Sequence, residues 1–60
     1  MVHPELKKAI IAWLFDNANI WNRHNACVDH FRQYIYGPDG NHIIGGADVY
    51  DFIKEVGKLI

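Results

Sequence analysis

Long apolar runs, blocks of like charge and a second cysteine are all missing from this sequence. No stretch approaches the ~20 apolar residues that cross a bilayer, so no membrane association is expected. The lone Cys27 cannot form an internal disulfide and no signal-peptide pattern is visible, which points to a reducing cytoplasm. Lys and Arg number 6 against 7 Asp and Glu, interleaved throughout, so the usual electrostatic footprint of a nucleic-acid binder is absent. With only 2 prolines and 5 glycines, each chain-breaking residue is informative.

What the sequence does contain is apolar material. Half of its 60 residues are hydrophobic and 13% are aromatic, enough for a packed core and against disorder. The length fits a single domain spanning residues 1–60, close to the lower limit at which a core suffices without a partner subunit. A homodimer is therefore among the expectations.

The clearest local signal is Tyr34 to Ile53, YIYGPDGNHIIGGADVYDFI. Pro38-Asp39-Gly40 has the order needed for a type I turn followed by a left-handed residue, which predicts a β-hairpin. In that register Gly37 faces Asn41, Tyr36 faces His42 and Ile35 faces Ile43. The two isoleucines then share the core side, while Tyr34, Tyr36 and His42 fall on the outer side. Gly45-Gly46 frees the chain to reverse, Asp48 is the expected N-cap, and a helix should begin near Val49. Val49, Phe52, Ile53, Val56 and Ile60 form its apolar stripe, and Gly57 is placed to end or fray it.

Gly40-Asn41-His42-Ile43-Ile44-Gly45-Gly46-Ala47-Asp48-Val49, with Gly57-Lys58-Leu59 downstream, resembles the C-terminal hairpin and helix of glutaredoxins. The resemblance implies that Gly46, Ala47 and Asp48 would contact glutathione. Cys-x-x-Cys, Cys-x-x-Ser and the family's Thr-Val-Pro are absent, and the chain is shorter than its full sheet requires.

Nearer the amino terminus, His3-Pro4-Glu5 reads as a helix start, with the helix running to about Asp16. Leu6, Ile10, Trp13, Leu14 and Asn17 form its stripe. Ile11 and Phe15 widen the arc, as if two neighbours or a dimer partner covered it, and packing beneath the second helix and hairpin is the simpler expectation. The Asn-rich segment 17–25 should turn the chain, with Asn19 or Asn25 capping a second helix. That helix carries Cys27, Val28, Phe31 and Tyr34 or Ile35, and should end between Arg32 and Tyr34. The expected fold class is α+β: three helices with one antiparallel β-hairpin between the second and third, in the order α-α-β-β-α.

Chemistry-bearing groupings are sparse. His24, Cys27 and His30 are spaced by three, with His42 as a conceivable fourth zinc ligand, but the spacing matches no familiar finger and no metal is expected. A Cys27–His30 nucleophile pair lacks an orienting third group, and no Gly-rich phosphate loop follows a strand. No enzyme activity and no cofactor are expected.

Two binding functions remain. The first is a non-catalytic protein–protein interaction module, a small regulatory or inhibitory protein comparable to those of phages and mobile elements. Tyr34, Tyr36, His42, Trp21 and Tyr50 are its candidate partner-binding residues, because Trp and Tyr concentrate binding energy at interfaces. The second is a small helix-turn-helix or winged DNA-binding regulator using Asn22, Arg23, Asn25 and Gln33. A glutaredoxin-like fragment binding glutathione is a third alternative, resting on the resemblance alone.

Overall fold

The computed structural model describes residues 2–60. Its elements are α1 (Pro4–Asp16), α2 (Arg23–His30), a 3₁₀ turn (Arg32–Tyr34) and α3 (Gly46–Leu59). Among the described residues there is no β-strand, so the chain is three helices rather than the expected α+β fold with a hairpin.

Each end of α1 has a local cause. His3 sits in extended conformation at the N-cap, and its Nδ1 accepts the Glu5 main-chain N–H at 3.2 Å. Pro4 follows in the first turn, where its missing N–H costs nothing. At the other end Asn17 donates to the Trp13 carbonyl twice, from its main chain at 3.0 Å and its side-chain amide at 2.8 Å. One asparagine thus supplies donors for a carbonyl of the last turn.

The second helix is capped by Asn22, with no side-chain cap bond, and not by Asn19 or Asn25. It stops at His30. The chain then tightens into the 3₁₀ turn, with Tyr34 N–H donating to the Phe31 carbonyl and Ile35 N–H to Arg32. This winding explains the missing first strand. Ile35 still has helical dihedrals, φ −111° and ψ −45°, so only Tyr36 is left to pair across the turn.

The second strand is lost for a matching reason. The Ile43 carbonyl accepts the Gly46 N–H, closing a turn, and Gly45 reverses the chain at φ +82°. Between these two windings a single antiparallel bridge survives, Tyr36 to His42, flanked by Gly37 N–H to the Asn41 carbonyl and Ile43 N–H to the Ile35 carbonyl. Facing pairs follow the turn chemistry, yet neither side is long enough to be a strand. Ile35 is buried and Ile43 is exposed, so the two isoleucines do not share the core.

Gly45, not Asp48, occupies the N-cap of α3, and the helix begins at Gly46 rather than near Val49. Asp48 lies in its first turn, favourably placed for the helix dipole. Nor does Gly57 end the helix, which continues to Leu59.

The core is Val2, Ile10, Leu14, Cys27, Phe31, Ile35, Val49 and Ile53, with Leu6, Trp13, Val28, Tyr36, Tyr50, Phe52, Val56 and Ile60 packed around it. Val49 and Ile53 are the inner positions of the stripe expected for α3, and Ile10 and Leu14 those of α1. Ile11 and Phe15 do not pack beneath α2 as expected; both are exposed. The main chain extends over 31 × 23 × 15 Å, so its thinnest direction holds about two packed helices.

Two contacts fix α3. Gly46 packs directly on the Ile35 main chain, so close that a Cβ there would collide with the Ile35 carbonyl. At the opposite end the Arg23 guanidinium donates to the main-chain oxygens of Gly57 at 2.9 Å and Ile60 at 3.0 Å. A cation from α2 thereby satisfies orphan acceptors at the negative end of α3.

Substitutions at two glycines of α3 should have opposite signs. Gly46→Ala is expected to cost more than ~2 kcal/mol in urea unfolding, because backbone must move. Gly57→Ala, with nothing within 4 Å of its added methyl, should stabilise by about 0.5–1 kcal/mol. Arg23→Ala should lower stability by about 1.5–3 kcal/mol, since its hydrogen bonds are charge-assisted and partly buried. Equal effects at the two glycines would contradict the close approach at Gly46.

Candidate functional site

The bridge at Tyr36–His42 builds the most developed surface feature. Its two rings stack with centroids 4.9 Å apart and planes tilted by 38°. Tyr50, one turn into α3, lies beside them, and its hydroxyl is 3.5 Å from His24 Nε2. The His24 and Tyr50 rings meet edge to face at 5.5 Å. Tyr36 and Tyr50 are each held by one ring contact and by packing against the core, which lowers the entropy lost if a partner binds them.

Two adjoining grooves share these tyrosines. One, of about 500 Å³, is lined by Asn25, Val28, Asp29, Arg32, Tyr36, Gly40 and Tyr50. The other, of about 380 Å³, is lined by Tyr36, His42, Ala47, Tyr50 and Asp51. The ridge between them is aromatic, and its walls carry both charge signs and an amide. The adjoining loop is stiffened by Asp39, whose carboxylate accepts from the Asn41 main-chain N–H at 3.2 Å and side-chain amide at 3.1 Å. These donors hold the Asp39 pKa below its usual value.

Three of the five residues singled out from the sequence therefore come together: Tyr36, His42 and Tyr50. Tyr34 does not join them. The 3₁₀ turn rotates it away from the bridge, and it packs instead toward Phe31, with ring centroids 6.3 Å apart, over a groove lined by His3 and Leu6. A strand would have placed Tyr34 and Tyr36 on one side; a turn of helix separates them. Trp21 is also elsewhere. It lies 96% exposed in the turn between α1 and α2, two residues before Arg23 and so at the end of the bundle where α3 finishes.

Asn25, Asp29 and Arg32 belong to this surface but were not among the residues chosen from the sequence for it. Their spacing of three to four along α2 and into the 3₁₀ turn is the signal that could have identified them. The α1 positions Ile11 and Phe15, 37% and 61% exposed, form a second open patch whose signal was the over-wide apolar arc.

The helix-turn-helix candidates are scattered in role. Asn25 is exposed on the groove, Asn22 caps α2, Gln33 is exposed in the 3₁₀ turn, and Arg23 is committed to the end of α3. Gly46, Ala47 and Asp48, the glutathione positions implied by the glutaredoxin resemblance, form the first turn of α3, with Gly46 buried against Ile35.

His24, Cys27 and His30 point to different neighbours. His24 meets Tyr50, whereas His30 lies against Trp13 at 5.5 Å and Phe31 at 4.8 Å. Cys27 is wholly buried between them, and loss of solvation pushes its thiol pKa to about 11 despite the lowering effect of Arg23. Among the described residues no group of three or more His, Cys, Asp or Glu side chains is arranged to hold a metal. No described helix is long and apolar enough to cross a membrane.

A scan against protein-family models finds no match, and searches of curated proteins and of solved structures likewise find none.

The buried thiol yields a pH prediction with a definite sign. Burial pushes the folded thiol up to about 11 from the ordinary value of 9.0, so folding favours the protonated form. That contribution is complete below pH 9.0 and is lost as pH rises toward 11, amounting to roughly 2–3 kcal/mol. Cys27→Ala, which empties a fully buried site, should be less stable than wild type at neutral pH, and the pKa shift should narrow the gap as pH rises from 9.0 toward 11. A gap that is constant with pH in paired urea titrations would contradict the assignment. The native thiol should also resist iodoacetamide until the chain is unfolded.

Proposed function

We propose that the protein is a non-catalytic recognition module whose aromatic ridge of Tyr36, His42 and Tyr50 binds another protein. The observation that carries this reading is the shared position of Tyr36 and Tyr50 between two grooves walled by Asn25, Asp29, Arg32 and Asp51. Tyrosine and arginine are the residues in which interfaces concentrate energy, and here the rings are already fixed by stacking. The mixed charge on the walls favours a partner surface that presents both donors and acceptors around an apolar knob. A regulatory or inhibitory role acting on a cellular protein in the cytoplasm fits a chain this small, as in the compact regulators of phages and mobile elements.

The arrangement supports binding over catalysis. Cys27, the strongest nucleophile by residue type, is buried as a thiol, and neither groove encloses a base beside a nucleophile.

The test is a pull-down from lysate of the source organism or its host, with and without nuclease, read by mass spectrometry. A stoichiometric protein that survives nuclease is expected. Its affinity should fall by about 2 kcal/mol or more with Tyr36→Ala and by at least ~1 kcal/mol with the exposed Arg32→Ala, circular dichroism being unchanged. Unaltered affinity in both variants would remove this surface as the binding site. Recovery only of nucleic acid, or of proteins lost with nuclease, would transfer the function to the DNA-binding alternative.

A further inference from the structure

We infer that the outer flank formed by α1 and α3 binds a second copy of this chain, giving a twofold dimer. The inference is independent of the aromatic ridge and uses a different side of the molecule.

Adjacency of the two helices on this flank is recorded by Lys7, whose ammonium lies 5.6 Å from the centre of the Phe52 ring. Helical spacing extends each row from that point. Ile11 and Phe15 follow Lys7 at i+4 and i+8 on α1, and Val56 and Leu59 follow Phe52 at i+4 and i+7 on α3. Apolar residues from both helices therefore form one strip. It is open to solvent: Phe15 is 61% and Leu59 86% exposed, and only Phe52 and Val56 are partly covered by the core cluster.

The area is of the right order. At about 150–250 Å² for a whole aromatic side chain, Ile11, Phe15 and Leu59 leave on the order of 350 Å² open, and the half-covered Phe52 and Val56 add to it. A standard interface takes ~800 Å² from each partner, little more than half of it apolar, so this strip with its polar rim is of the size of a small, weak dimer interface.

Charge at the rim fits a second copy. Beyond the apolar row on α1 stands the exposed Lys8, and beyond the row on α3 stands Glu55, which makes a long 3.6 Å exposed pair with Lys58. A twofold rotation about an axis along the helices lays α1 of each copy over α3 of the other and sets Lys8 of one copy toward Glu55 of the second. The surface pair with Lys58 is weak enough to be exchanged.

The experiment is sedimentation velocity over a concentration series reaching about 1 mM, a range that detects weak dimers. Wild type should move from its 6.9 kDa monomer to twice that mass. Phe15→Asp, at a site whose exposure spares the fold, should raise the dimer dissociation constant at least ~30-fold with unchanged circular dichroism. Lys8→Glu and Glu55→Lys should each weaken association, and the double variant should recover it. Tyr36→Ala, on the other side, should leave the dimer intact. A wild-type protein that stays monomeric, a Phe15→Asp dimer as tight as wild type, or a charge-reversed double variant no tighter than its singles would each overturn the proposal.

Discussion

The approach of Gly46 to the Ile35 main chain is the constraint on which the rest of the structure depends. Ile35 ends the winding that began with α2, and its side chain is fully buried. Gly46 starts α3 in contact with that same backbone, so the ten residues between are forced into a closed loop rather than a ladder. The loop closes on one bridge, and that bridge stacks Tyr36 on His42. A side chain at position 46 would move the start of α3 outward, and Tyr50 with it. Arg23 then holds the far end of α3 against the start of α2, so the helix is attached to its neighbour at both termini.

These attachments matter more here than in a larger domain, because the hydrophobic term is small. A 60-residue domain buries a lower fraction of its surface than longer ones do, and eight of the described hydrophobic residues form the inner core. Three helices around Ile10, Leu14, Cys27 and Ile53 share one inner layer, and among the described residues no fourth helix covers their outer flanks. The large apolar residues that remain exposed are therefore a consequence of element count. Where they cluster is set by the helical periods of α1 and α3.

Much of the helical architecture was legible in local chemistry. Pro4 and His3 announced α1, the three-and-four spacing of Val49, Ile53 and Val56 announced the inner face of α3, and Pro38-Asp39-Gly40 announced the turn together with its facing pairs. What local chemistry could not decide was whether the turn would carry strands. Ile35, Tyr36, Ile43 and Ile44 are good strand formers, and their β-branched and aromatic character pointed that way. The outcome was settled by neighbours: hydrogen bonds to the Phe31 and Arg32 carbonyls wound the chain up to Ile35, and Gly45-Gly46 opened a helix after the turn. The same difference divided the candidate site. Alternation would have kept Tyr34 beside Tyr36, whereas one helical step sent it toward Phe31 and the amino-terminal end of α1. Asn25, Asp29 and Arg32 share one face through their three-and-four spacing, but that face becomes the wall of a groove only once the loop folds back along α2.

The two surfaces sit so that use of one leaves the other free. Tyr50 and Phe52 are two residues apart on α3, which turns them by roughly 200° around the helix axis. Tyr50 faces α2 and the aromatic ridge, as its contact with His24 requires. Phe52 faces α1, as its contact with Lys7 requires. A second copy seated on the α1–α3 flank would therefore cover Phe15 and Leu59 without reaching Tyr36 or Arg32. Such a pair would present two ridges in fixed relation. A target that is itself twofold symmetric would then bind at both, and the second contact would form at a high effective concentration with no residue added to either ridge.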